Sequence, residues 1–306
     1  MGKTALFVRR TPGGLFTITD EGLTTGSYLF VHSVTGTDAA GYGNNPDSPL
    51  ATLDYANNLA TASKADRIYL LPGHVENITA AGTVTLDTIG VQVIGLGRGA
   101  LRPTFSWTTI NSATIVISAA SVLVKNCIFD LTGVAAVVTG FSVTGADVTI
   151  EDCYILQTDA GQQAAIGITL GAAAHRFQFL RNYCLAGTAG GTSCIYHAGG
   201  ATDVTVQGST FNGDWSNAAV FNDTALMLRL QVLDSVFNCT GAAGIGLSVH
   251  ANTTGNAIHN HSFVTANIAA GGSITAAAMF KSECFGNEAA HVAASSQIDP
   301  LAGAFA

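Results

Sequence analysis

Hydrophobic and polar residues alternate in short runs that recur along the middle of the chain. Set one under another, VLVKNCIFD (122–130), VTIEDCYIL (148–156), FQFLRNYCL (177–185), VTVQGSTFN (204–212), LQVLDSVFN (230–238), IHNHSFV (258–264) and KSECFG (281–286) follow one scheme. Each has an alternating stretch, a small polar residue and then a large apolar residue three places on. The polar column reads Asn126, Asp152, Asn182, Gly208, Asp234, Asn260 and Ser282. The apolar column reads Phe129, Ile155, Leu185, Phe211, Phe237, Phe263 and Phe285. Both advance in steps of 26, 30, 26, 26, 26 and 22 residues, and a period in this range marks a solenoid or a propeller.

The alternation before the polar column, as in Val122/Val124, Val148/Ile150, Val204/Val206 and Leu230/Val232, predicts strands with one buried face. Asn, Asp and Gly tolerate the left-handed backbone conformation, so their column predicts a sharp bend made once in every repeat. A repeat of 26 residues has room for about three strands and no crossover helix, whereas a propeller blade needs four strands and about 40 residues. The expected fold is therefore all-β, a parallel β-helix whose coils stack at about 4.8 Å with the Phe column inside. Placing Asn182 in the bend leaves Phe177 and Phe179 one place off the alternation, so a bulge or longer loop is expected near the 30-residue step.

Ahead of the repeat, Leu50, Leu53, Tyr55, Ala56, Leu59 and Ala60 fall on one helical face behind Ser48-Pro49. They predict a helix over about 49–62, placed to cap the apolar end of the first coil. Residues 1–28 lack the repeat and are expected to form an N-terminal arm used in anchoring or assembly, with 29–285 as the solenoid and 286–306 as a C-terminal cap or tail.

Composition narrows the function classes. At 48% hydrophobic and 10% charged residues, the chain buries a large core and leaves little charge for its outside, which points to contact with sister subunits or partners. A net charge of −8 with no basic cluster beyond Arg9-Arg10 argues against nucleic acid as a partner. Thr-Pro-Gly-Gly follows those arginines where an export signal needs an apolar run. No run approaches the roughly 18 apolar residues of a bilayer span, so no membrane association is expected. The six cysteines have no metal-site spacing; Cys127 and Cys153 share a column on adjacent coils and are expected as free thiols.

The order Gly36-Thr37-Asp38, a Gly/Asn-rich turn, Asp47-Ser48-Pro49-Leu50-Ala51-Thr52, a Leu/Ala helix, Asp66-x-Ile68 and Leu71-Pro72-Gly73-His74-x-Glu76 resembles the opening segment of the pectate-lyase-like right-handed parallel β-helix superfamily. With Gly90-Val91-Gln92-Val93-Ile94-Gly95-Leu96-Gly97 and Leu101-Arg102-Pro103, it is similar more narrowly to phage β-helix-repeat proteins that accompany capsid genes. The resemblance spans about 29–285. It implies a right-handed solenoid and leaves function open, because that superfamily holds lyases, hydrolases, tailspikes and plain virion proteins.

Function must come from a site, and a polysaccharide-cleaving enzyme needs clustered carboxylates on one outer face. The column before the bend is read as Lys125, Glu151, Arg181, Gln207, Leu233, His259 and Lys281, its first three members forming an ion-pair ladder. The column after the apolar one, read as Asp130, Leu156, Ala186, Asn212, Asn238, Val264 and Gly286, holds one acid. Asp152 serves the bend, Glu283 and Glu288 a solvated rim, and no residue is assigned a catalytic role. His259 and His261, two apart, are weak candidates for a metal; no metal or other cofactor is expected. Trp107 and Trp215 are isolated indoles that could stack on sugars. Residues 182–228 contain no Lys or Arg, which does not fit an acidic polysaccharide along the middle of the chain.

These readings lead to an expectation of a non-enzymatic structural virion protein of a tailed bacteriophage, a capsid decoration or head-fibre component assembled in the host cytoplasm. It would be a homo-oligomer, a trimer by analogy, partnered by virion proteins such as the major capsid protein. The alternatives are a tailspike-like polysaccharide-degrading enzyme and a fibre that binds a host-surface glycan or receptor.

Overall fold

The computed structural model describes residues 9–11, 14–16, 26–157, 164–187, 191–222, 226–239, 245–264, 274–275, 279–282 and 285–286. The chain winds into a parallel β-solenoid with three sheets of ten, nine and eight strands. One coil shows the plan: Leu123–Lys125 lies in the first sheet, Ile128–Asp130 in the second and Phe141–Val143 in the third. Each strand pairs in register with its equivalent one coil on, as Val124 does with Ile150 and Phe129 with Ile155. An irregularity falls between Ala81 and Val84. Among the described residues no helix is long and apolar enough to cross a membrane.

Alternation makes this core. In the second sheet, register aligns Phe105, Phe129, Ile155, Cys184, Phe211, Phe237 and Ser262 pointing inward. The Phe211 and Phe237 rings lie 5.0 Å apart and 7° from parallel, and Phe105 and Phe129 are 5.4 Å apart. Three members of the expected stack are displaced. Leu185 and Phe263 face outward, Phe263 at 48% exposure, because Cys184 and Ser262 hold their inward places. Register likewise sets Gly286, not Phe285, in line with Ser262.

The same one-residue slip corrects the bend between the first and second sheets. The left-handed residues there are Asn126, Asp152, Arg181, Gly208, Asp234 and His259, with φ between 51° and 60°. Asn182 and Asn260 sit one place later and are buried. They join Cys127, Cys153, Ser209 and Ser235 in an internal row whose side chains bond the backbone of neighbouring coils. Asn182 Oδ1 accepts the Cys153 N–H at 2.8 Å and its Nδ2 donates to the Ile150 carbonyl at 2.8 Å. Asn260 repeats this with Ser235 N–H (3.0 Å) and the Val232 carbonyl (2.8 Å). Ser209 and Ser235 hydroxyls accept the Asn182 and Ser209 N–H groups at 3.2 and 3.4 Å. With Arg181 in the bend, Phe179 aligns with Ile150 and both Phe177 and Phe179 are buried, so the alternation is unbroken there.

Each asparagine of the row satisfies one buried N–H and one buried carbonyl, and a buried group left unpaired costs about 1–3 kcal/mol. Asn182→Val should therefore lower stability by about 2–4 kcal/mol, more than the roughly 1–2 kcal/mol expected from left-handed strain in Asp234→Val. Urea unfolding of the two variants checks the order, and a larger loss in Asp234→Val would contradict it.

A second bend, from the third sheet back to the first, carries left-handed Ser121, Asp147, Arg176, Asp203 and Arg229 on successive coils. Arg176 forks onto Asp147 at 2.5 and 2.7 Å, and Arg229 onto Asp203 at 2.5 and 2.6 Å. The guanidinium partners hold both carboxyls below the ordinary carboxylate range, Asp203 at about 2.

At the N-terminal end, the helix Leu53–Leu59 is shorter than the 49–62 expected and buries Leu53, Ala56 and Asn57. Thr52 accepts the Tyr55 N–H and is itself held by Asp38, whose carboxylate takes the Ala51 and Thr52 N–H groups and the Thr52 hydroxyl. Glu76, 8% exposed, accepts the Leu53 N–H at 3.0 Å and lies 3.2 Å from Nε2 of fully buried His74. His74 Nδ1 accepts the Ser33 N–H at 3.1 Å, so Nε2 carries the proton and donates to Glu76. The Leu-Pro-Gly-His-x-Glu run thus ties the first strand, the helix and the first coil together. Outside the core, Phe30, Tyr69 and Ile94 form a second buried cluster. Of the expected arm, Arg9–Thr11 and Gly14–Phe16 pair antiparallel; its other residues up to 25 and nearly all of the 286–306 tail lie outside the described residues.

Candidate functional site

The second sheet presents two outward rows. Alternation turns the residues on either side of the Phe column toward solvent, while the next position (Trp107, Gln157, Ala186 and Cys239) is buried again, and parallel register aligns each row along the axis. One row reads Thr104, Ile128, Tyr154, Tyr183, Thr210, Val236 and His261; the other reads Ser106, Asp130, Leu156, Leu185, Asn212, Asn238 and Phe263. Tyr154 is 40% exposed and meets Tyr183 edge-on, ring centroids 5.6 Å apart. Asn212 Nδ2 donates to the Tyr183 hydroxyl at 3.3 Å, and Asn238 Nδ2 to Asn212 Oδ1 at 3.0 Å. Two tyrosines, two leucines and two amides therefore form a continuous strip over successive coils.

Charge gathers at one border of the strip, on the bend from the first sheet. Lys125 Nζ lies 3.4 Å from Glu151 and 4.0 Å from Asp152. Arg181 Nε donates to Asp152 at 3.1 Å while its Nη2 reaches Glu151. The expected alternation of Lys125, Glu151 and Arg181 is thus an ion-pair cluster, although Leu180 rather than Arg181 stands in the strand column. Arg102 places its guanidinium 4.3 Å from the Tyr154 ring centre and donates to the Asp152 carbonyl at 3.3 Å. Asp130 accepts from the Thr132 N–H and hydroxyl.

The other sequence candidates separate. His259 occupies the bend, 3.4 Å from Asp234, whereas His261 opens the next strand of the second sheet, so the two do not share a face. Among the described residues no group of three His, Cys, Asp or Glu side chains could hold a metal. Trp107 and Trp215 are buried, their indole N–H groups donating to the Ala113 carbonyl and to Gln157, so neither offers a ring to a ligand. Cys127, Cys153, Cys184, Cys194 and Cys239 are buried free thiols. Glu283 and Glu288 lie outside the described residues. Sequence reasoning missed Tyr154, Tyr183 and Arg102; the usable signal was that Tyr154 and Tyr183 each stand one place before an inward residue.

One buried titratable group lies apart from this face. His197 points into the core from the third sheet, and its Nε2 accepts the Ala201 N–H at 3.0 Å. Its protonated Nδ1 meets no partner among the described residues. Burial lowers its pKa to about 4, against an ordinary 6.5. Between those values the unfolded chain binds the proton and the folded chain does not, so stability present above pH 6.5 should fall as the pH drops toward 4, by roughly 3 kcal/mol. His197→Gln keeps an acceptor for Ala201 and should flatten that slope in urea titrations at pH 7 and 4.5; an unchanged slope would exclude His197 as its source.

No protein-family model matches this chain. No curated protein matches it. Among solved structures it is similar to one named rhamnogalacturonan lyase, at 11% identity and a TM-score of 0.36, over 78% of this chain and 69% of that one. The expectation that the chain is no enzyme is withdrawn, the matched structure being one named as a lyase. A likeness of this size carries no argument about what this chain does.

Proposed function

We propose that the protein is a glycan-engaging β-solenoid that meets a saccharide through the outer face of its second sheet. The observation that carries this reading is the strip of exposed Tyr154 and half-buried Tyr183, Asn212 and Asn238, aromatic and amide side chains at the surface of rigid strands. An aromatic face packs against the C–H face of a sugar ring, and side-chain amides donate to and accept from hydroxyls. Strands hold such groups in place without a cost in loop ordering.

The setting we propose is a phage particle, with copies of the chain associated as a homo-oligomer and joined to other virion proteins, and the Leu53–Leu59 helix as cover for the first coil. Support for the particle comes from the resemblance of the Gly36–Glu76 and Gly90–Pro103 segments, and support for association comes from the low charge of the chain as a whole.

The test is retention of the purified protein on immobilised surface polysaccharides of candidate host cells, with new reducing ends and unsaturated products measured in the same incubations. Retention reduced at least about tenfold by Tyr183→Ala, a loss of 1.4 kcal/mol or more, is expected. Equal retention of that variant would remove the second sheet from the reading. Electron microscopy with an antibody to this chain tests the particle setting, and particles without label would defeat it.

A further inference from the structure

We infer that the ligand of the second-sheet face is a neutral saccharide chain lying along the solenoid axis, about one sugar ring to a coil; this rests on the glycan-binding reading above. Three observations carry it. From Tyr154 to Asn238 the two outward rows contain Tyr, Thr, Val, Leu and Asn and no Asp, Glu, Lys or Arg. Of the nearby cations, Lys125 and Arg181 are held by Glu151 and Asp152 and Arg102 lies against the Tyr154 ring at one end of the strip, while residues 182–228 contain no Lys or Arg but do contain Asp203, Asp214 and Asp223. Beyond Arg102 at the Tyr154 end, a polyanion would thus meet a chain of net charge −8 without a counter-charge along the strip.

The hydrogen-bonding capacity that remains is of the kind hydroxyls use. Asn238 spends one amide proton on Asn212, which leaves its second proton and its carbonyl oxygen; Asn212 keeps a second proton. Direction follows from register. The tyrosines and amides are aligned from coil to coil, while the charged bend bounds the strip on one side, so a ligand crossing the sheet would leave the uncharged surface after a single strand. Strands in a sheet repeat at about 4.8 Å, close to the advance of one ring in an extended pyranose chain, so successive sugars meet equivalent positions on successive coils.

The experiment measures binding of the intact chain to neutral and to uronic-acid oligosaccharides of increasing length, at low and high salt, by calorimetry. Expected are binding to a neutral series that tightens with length up to about four rings, one for each coil from Tyr154 to Asn238, little change with salt, and at least tenfold weakening in Tyr183→Ala and in Asn238→Ala. Tyr183→Phe, which keeps the ring, should retain most of the affinity. Binding confined to uronic-acid chains, weakened by salt and still lost in Tyr183→Ala, would overturn the neutral-ligand inference and leave the glycan-binding face standing. Neutral binding with no dependence on length beyond one or two rings would overturn the axial arrangement. No binding in either series, or binding that both alanine variants leave intact, would overturn the glycan-binding reading with it.

Discussion

Phe211→Ala lowers the unfolding free energy by about 3–5 kcal/mol, among the largest single losses the chain should show. The ring is fully buried and held on three sides: by Phe237 at 5.0 Å, by Phe179 at 6.0 Å and by Trp215 at 6.4 Å. Truncation removes the transfer free energy of a benzyl group and opens a void that parallel strands, fixed at both neighbours, collapse into poorly. Phe263→Ala provides the contrast, because its ring is 48% exposed and should cost under about 1 kcal/mol. Urea unfolding of both variants measures the difference. Equal losses would mean that the inward column had been assigned to the wrong residues.

His74→Leu should cost about 3 kcal/mol or more, for an electrostatic reason rather than a packing one. Leucine fills much of the imidazole's space but leaves the Glu76 carboxylate buried with the Leu53 N–H as its remaining partner. A buried charge stripped of a partner is penalised far more than the intact pair is rewarded. The double variant His74→Leu/Glu76→Leu removes the stranded charge and should recover part of the loss. Thermal unfolding of the two single variants and the double variant gives the coupling, and a double variant as unstable as the sum of the singles would refute the pairing.

The period of the repeat and its alternation carried most of the fold in plain sight. Phe129, Ile155, Phe211 and Phe237 recur because the interior of each coil needs a large side chain at the same height, and that demand is written in the sequence. What stayed hidden was a shift of one residue in three coils. Arg181 and His259 take the left-handed position that Asn, Asp or Gly occupies elsewhere, and an asparagine follows each of them. Arginine is disfavoured there on backbone grounds alone; its bonds to Glu151 and Asp152 provide compensation that no single repeat displays. A slip of one residue exchanges the two faces of a strand, which is why Leu185 and Phe263 were expected inside and Cys184 and Ser262 were overlooked. The tyrosine strip was obscured for a related reason, since Tyr154 and Tyr183 become neighbours only once the long step between their coils is placed correctly.

The bend from the third sheet to the first carries a parity of charge over four of its coils. Reading along the axis, Asp147, Arg176, Asp203 and Arg229 alternate in sign. Excising the single coil that carries Arg176 would bring Asp147 against Asp203, two carboxylates with no cation between them. Excising two consecutive coils instead sets Asp147 beside Arg229 and restores the pairing. Within these four coils the pairing survives the loss of an adjacent doublet, whereas the loss of the Arg176 or the Asp203 coil alone sets like charges side by side.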